Sequence, residues 1–139
     1  MLKFKRMPKS EKEYALNLAR REINMEAKRL DQYKTYLLYQ SQKKIGFTSF
    51  NYRPQDKTIY IYILAFEQHA QRQGYAAQVL SKIMHYGCKK YPDFKGLTAT
   101  VRKTNAAAIN CLQKYGFQLI KERKNYLDFF HPVTEGKFL

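Results

Sequence analysis

Tryptophan is absent from this chain, and cysteine nearly so, with Cys88 and Cys111 alone. Two cysteines in no C-x-x-C pattern exclude a disulfide scaffold, and their apolar neighbours in helical patterns mark them as reduced packing residues. Histidine is also scarce. His69, His85 and His131 are widely separated and lack the i, i+4 spacing that puts two ligands on one helix face, so no metal is expected. Six glycines and four prolines in 139 residues are too few for a collagen-like or low-complexity chain. Long apolar runs are missing as well: Met1-Leu2-Lys3-Phe4-Lys5-Arg6 passes into polar sequence. Neither a signal peptide nor a membrane span is expected, and a cytoplasmic location follows. Acidic residues number 11 against 26 lysines and arginines, a net charge of +15. Such a field attracts anions (nucleotides, nucleic acid, acidic protein surfaces) and disfavours polycations, although solvated faces serving solubility account equally for many of the lysines.

What is present is a globular composition, 45% hydrophobic and rich in tyrosine and phenylalanine. At this length, one domain spanning 1–139 is expected. Met1 to Met7 alternates weakly as a first strand. Ser10 and Glu13 have the S-x-x-E spacing of a capping box, and Leu16, Ala19, Ile23, Ala27 and Leu30 follow as the core stripe of one helix or two short ones. Tyr36–Tyr39 and Ile45–Tyr52 read as a hairpin. From Ile59 to Phe66 both faces are apolar or aromatic, which predicts a central strand. Ala76, Val79, Leu80, Ile83, Met84 and Gly87 keep helical spacing, and Leu97, Ala99 and Val101 then alternate as a strand. This strand, helix, strand crossover favours parallel pairing. Asn105 is placed to cap a helix from Ala106 to Tyr115, closed by Gly116, before a final hairpin of Phe117–Ile120 and Tyr126–Phe130.

Between the central strand and its following helix lies Gln71-Arg72-Gln73-Gly74-Tyr75-Ala76. Glycine lets backbone approach an oxyanion, and the free N–H groups of a helix start point at it, so this junction is a candidate pyrophosphate cradle. An ordinary tight turn is the plainer reading.

Gln71, Gly74 and Ala76 match the Q/R-x-x-G-x-G/A signature of the GNAT superfamily of acyl-CoA N-acyltransferases, in the strand-to-helix context it requires. Downstream, Asn105-Ala106-Ala107-Ala108-Ile109 through Tyr115-Gly116-Phe117 resembles the family's second signature. In order and spacing the two make the chain similar to this family over essentially its whole length. The resemblance implies an α/β (α+β) fold: a mixed, mostly antiparallel sheet of six or seven strands, about four flanking helices, and a splayed parallel pair at the centre. It also implies acetyl-CoA as co-substrate. Its pyrophosphate would lie on the backbone of Gln71, Arg72, Gln73, Gly74, Tyr75 and Ala76. Its pantetheine arm would pair with main-chain groups of Leu64, Ala65 and Phe66, one of whose N–H groups would polarise the thioester carbonyl. Asn105 would reach the cofactor, with Arg72 and Lys103 as phosphate partners.

Acyl transfer needs a neutral amine, a path for its proton and relief of charge on the leaving sulfur. Where family members often carry Glu or His, this strand has Tyr60 and Tyr62, poor bases at neutral pH that would orient a water or simply wall the pocket. Glu67 is the nearest carboxylate and the candidate base, although it would serve equally as a turn cap; His69 follows inside the turn. Counting from Asn105 to Gly116 puts Leu112 where the family often has an acidic tyrosine, and Tyr115 stands three residues later. A coenzyme A thiol leaves tolerably without protonation, its pKa being about 8.5, so release of the thiolate to solvent or through Tyr115 is expected.

The acceptor is expected to be neutral or anionic: an amine on an acidic small molecule, or a protein N-terminus or lysine held near nucleic acid or the ribosome. Lys3, Lys5, Arg6, Lys9, Lys12, Arg20, Arg21, Lys28 and Arg29 crowd the region where the family builds its acceptor side, and a solvated helix face explains them too. A basic module that keeps the fold and coenzyme A but docks on nucleic acid or a partner is the alternative to an enzyme. A monomer and a sheet-edge homodimer read alike.

Overall fold

The computed structural model describes residues 1–133; residues 134–139 of the expected 1–139 domain lie outside the described residues. The strands are β1 (Leu2–Arg6), β2 (Lys34–Gln40), β3 (Lys43–Arg53), β4 (Thr58–Phe66), β5 (Gly96–Arg102), β6 (Gln118–Glu122) and β7 (Tyr126–Pro132). They hydrogen-bond in the order β1-β2-β3-β4-β5-β7-β6. The α-helices are α1 (Lys12–Ile23), α2 (Tyr75–Lys90) and α3 (Ala106–Tyr115), joined by short 3-10 turns. β4 and β5 run parallel from Thr58↔Gly96 to Ile61↔Ala99, as the crossover predicts. Among the described residues no helix is long and apolar enough to cross a membrane.

The chain divides into two compact units, Met1–Asn51 with Tyr62–Tyr75, and Tyr52–Ile61 with the chain from Ala76 on. In the first, β1 pairs antiparallel with β2, and β2 with β3. α1 packs Ala15, Leu18 and Ala19 against Leu37 of β2, Phe47 of β3, and Ile63 and Ala65 of β4, with Ala27 and Leu30 completing the core. The stripe is therefore turned from the sequence reading. Leu18 is fully buried while Leu16 and Ile23 only border the cluster. The helix is also shorter than that stripe implied. Asn24 takes a left-handed φ of 50°, α1 stops, and Leu30 falls in a 3-10 turn, leaving three α-helices among the described residues where about four were expected. The Ser10–Glu13 capping box does not form, because Ser10 lies inside the 3-10 turn Lys9–Glu11 and α1 starts behind Glu11 without a side-chain cap.

In the second unit, α2 buries Val79, Leu80, Ile83, Met84 and Gly87. β7 enters between β5 and β6 in sheet order, antiparallel to both. α3 has the predicted ends. Asn105 Oδ1 accepts from Ala108 N–H at 3.1 Å, and beyond the helix Phe117 N–H returns to Leu112 O at 2.9 Å across left-handed Gly116.

Candidate functional site

The site grows from the end of β4. Glu67 N–H donates to Ile45 O of β3 at 2.8 Å. Backbone direction alternates along a strand, so Ala65 and Ile63 also turn their main-chain groups to β3, and Leu64 and Phe66 turn theirs to the opposite edge. The parallel ladder with β5 ends at Ile61↔Ala99, while β4 continues to Phe66.

After a 3-10 turn, Gln68–Ala70, the chain runs exposed through Gln71, Arg72, Gln73 and Gly74 into α2. Arg72 (φ 63°) and Gly74 (φ 80°) are both left-handed. For Arg72 this costs about 1 kcal/mol, and left-handed residues in a turn gather successive N–H groups into a concavity suited to an anion. Among the described residues no carbonyl or side chain accepts from the amides of Arg72, Gln73 or Gly74. Gln73 Nε2 braces the loop on His69 O at 2.7 Å. Among the described residues a Cβ at Gly74 would meet no atom beyond its chain neighbours within 4 Å, so this glycine serves conformation and approach, not packing.

Glu67, the candidate base, is half-buried and already engaged. Its Oε2 accepts from the Tyr14 hydroxyl at 2.7 Å and its Oε1 from Arg21 Nη2 at 2.9 Å. Arg21 Nε also holds Glu22 Oε2 at 2.9 Å, and Glu22 Oε1 accepts from Gln71 Nε2 at 2.8 Å. Burial, then the bond and charge of Glu67, push the Tyr14 hydroxyl well above the ordinary phenol range. Tyr14 is thus a fixed donor at neutral pH. Lys44 Nζ sits 4.0 Å from its ring centroid and pairs with Glu11. Tyr62, on β4, stacks on Tyr33 with ring centroids 4.5 Å apart and accepts from Arg29 N–H at 3.2 Å.

The remaining expected residues belong to the second unit. Tyr60 lies under the Arg53 guanidinium, 3.9 Å from its ring centroid. Ala76 is in the first turn of α2. Asn105 uses its side-chain oxygen on the α3 cap, and Lys103 pairs with Glu122 at 2.7 Å. The Tyr115 hydroxyl is 2.9 Å from Ser81 Oγ, and burial raises its pKa. Leu112 is a buried packing residue of α3.

The model of the acetyltransferase (GNAT) family matches residues 3–117, which takes in both signatures. The chain belongs to the GNAT acetyltransferase family. It is 30% identical over 77 residues to N-alpha-acetyltransferase 50 of Danio rerio, a match that covers 55% of this chain and 45% of that relative. It therefore spans less than half the length of that curated relative. The fold is shared with the ribosomal-protein-S18-alanine N-acetyltransferase of Escherichia coli, at TM-score 0.76 and 18% identity over 100% of this chain and 99% of the other. It is shared too with the N-acetyltransferase PseH of Campylobacter jejuni, solved with acetyl coenzyme A, at TM-score 0.71 and 20% identity over 96% and 100%.

Within this GNAT chain, Tyr14 and Glu22 are the site neighbours that sequence reasoning missed, and Arg21 enters it only as one cation of the basic N-terminal stretch. Tyr14 and Arg21 are seven apart and so share a helix face, a usable signal, but nothing local says what that face meets. Tyr14 also makes a stability prediction. A tyrosine whose folded pKa lies above its unfolded value of 10.0 contributes stability fully below that value, and loses it as pH rises beyond. Between pH 9 and 11 the wild type is expected to lose more denaturant stability than Tyr14→Phe. Parallel pH curves for the two proteins would contradict the assignment.

Proposed function

We propose that this GNAT protein is a single N-acetyltransferase domain over 1–139, cytoplasmic, which transfers an acetyl group from acetyl-CoA to a primary amine by direct attack. The reading is carried by the amides of Arg72, Gln73 and Gly74, which have no acceptor among the described residues, in a left-handed loop opening α2 behind β4. The pyrophosphate rests on that loop, and the N–H groups of Leu64 and Phe66, turned away from β3, receive the pantetheine arm and the thioester oxygen.

The amine nitrogen attacks the carbonyl carbon and a C–N bond forms. The oxyanion is held by strand N–H, worth about 3 kcal/mol where one such donor is removed. Glu67 takes the ammonium proton, directly or through a water oriented by Tyr62, loosening its bond to Tyr14 or Arg21 as it does so. The C–S bond then breaks and coenzyme A leaves as thiolate. Tyr115, raised by burial and bonded to Ser81, is a weak donor, so solvent returns the sulfur proton.

The acceptor is neutral or anionic, in keeping with the net charge of +15. One of the similar proteins is by name an N-alpha-acetyltransferase and another a ribosomal-protein-S18-alanine N-acetyltransferase, which puts peptide α-amines first on an acceptor panel. Buried Leu112 at the family's acid position favours a second reading, a coenzyme A-binding module docking on nucleic acid or protein.

Acetyl-CoA at ~100 times its dissociation constant should stabilise the fold by about 2.7 kcal/mol, raising Tm by several degrees. No shift would sink the cofactor assignment. Thiol release across a panel of peptide and small-molecule amines, with product mass, tests the reaction. Binding without release from any amine, together with salt-sensitive nucleic-acid affinity, would favour the module.

A further inference from the structure

Gln71 opens the loop, yet its side chain is tied to the scaffold behind it. Both Nε2 hydrogens are committed, to Glu22 Oε1 at 2.8 Å and to Phe66 O at 3.1 Å. From Glu22 the bonds run through Arg21 to Glu67, the residue after Phe66, so the chain of contacts closes on itself. One exposed guanidinium thus sits between two carboxylates, beside a loop shaped for an anion. Pairing with Arg21, then with Gln71, holds the Glu22 carboxyl below its usual pKa, keeping it an ionised acceptor.

We infer that Arg21 and Glu22 of α1 are positioning residues for acyl-CoA: through Gln71 and Glu67 they hold the pyrophosphate loop in its receiving shape, and Arg21 neutralises the two carboxylates near it. The inference rests on the acyl-CoA reading above. The physical reason is preorganisation, since a loop already fixed loses less conformational freedom when the anion arrives. Arg21 adds a second effect: without it, Glu22 and Glu67 present two uncompensated charges to an incoming anion.

The test titrates the purified protein with coenzyme A by calorimetry and measures KM for acetyl-CoA and kcat separately. Arg21→Ala, Glu22→Ala and Gln71→Ala are each expected to raise both the coenzyme A Kd and that KM about tenfold, the worth of one charge-assisted hydrogen bond, with kcat at saturating donor held in the Glu22 and Gln71 variants, whose side chains do not bond Glu67. Because Glu22 and Gln71 share one bond, their double variant should lose less affinity than the two single losses multiplied. Glu22→Gln keeps an acceptor oxygen for Gln71 and should recover most of the affinity. Glu26→Gln, on the Arg20 pair away from the circuit, is the control. Thermal unfolding without ligand separates a misfolded variant from a mispositioned loop, and Gln71→Ala, at an exposed residue, keeps the test open if Arg21→Ala does not fold. A wild type that binds coenzyme A while folded variants bind it equally well overturns the positioning role, as does a loss confined to kcat. A wild type that does not bind coenzyme A overturns the acyl-CoA reading instead.

Discussion

Replacing Gly74 with valine is expected to abolish coenzyme A binding and turnover while leaving the protein folded. The residue sits at φ 80°, a conformation that a β-branched side chain scarcely adopts. Valine must either carry strain of about 1–3 kcal/mol or move φ to negative values. The second course is open, because among the described residues no atom beyond the adjoining ones would lie within 4 Å of a Cβ there, and the loop is exposed. A rotation at residue 74 re-aims the amides of the loop, and with them the proposed phosphate contacts. Misplacement of about 1 Å costs on the order of 100-fold in a positioned site, so KM for acetyl-CoA should rise at least that far. The measurements are the coenzyme A-induced rise in Tm, expected to vanish, and the apo Tm, expected to fall only slightly. Gly74→Ala, without the branch, should lie between. A valine variant that keeps coenzyme A affinity within about twofold would mean that the pyrophosphate does not rest on these amides.

Local signals were the legible ones. Asn105 and Gly116 frame α3 at the predicted ends because a cap and a left-handed glycine each act within a turn. The loop was legible for the same reason, as strand, glycine and helix lie within 12 residues of one another in sequence. The parallel pairing of β4 and β5 followed from the crossover rule. Contacts between distant segments were not legible. The bond that occupies Glu67 comes from Tyr14, 53 residues earlier, and the pair that occupies its other oxygen comes from Arg21, 46 residues earlier. From the sequence alone Glu67 is a candidate base or a turn cap at a strand end. Likewise Arg21 was one cation in a basic stretch, whereas its position between two carboxylates gives it a particular electrostatic task. The Ser10–Glu13 spacing misled in the opposite direction. Its pattern was correct, but the preceding 3-10 turn absorbed Ser10 and left the cap to Glu11.

Gly46→Ala is expected to be the most destabilising small substitution near the site, by about 3 kcal/mol or more, in the range reserved for unavoidable core strain. A Cβ at this position of β3 would lie 2.1 Å from Ala65 O and 2.9 Å from Phe66 Cα. Both are backbone atoms, so no rotamer change relieves the overlap, and β4 itself must shift. The displaced segment carries the Leu64 and Phe66 main-chain groups, the Phe66 carbonyl that accepts from Gln71, and Glu67 with its bonds to α1. Stability and coenzyme A affinity should therefore fall together. Gly87→Ala supplies the contrast. Its Cβ would also be crowded, at 2.4 Å, but by the ring of Phe94, a side chain able to turn aside. The helical site returns about 1 kcal/mol of propensity on replacing glycine by alanine, so the net cost there should be smaller. Urea midpoints for the two variants decide the comparison. If Gly46→Ala stays within about 0.5 kcal/mol of the wild type, as an ordinary surface change would, then β4 yields at its end without resistance. The close β3–β4 approach would then not be what holds the end of β4 in place.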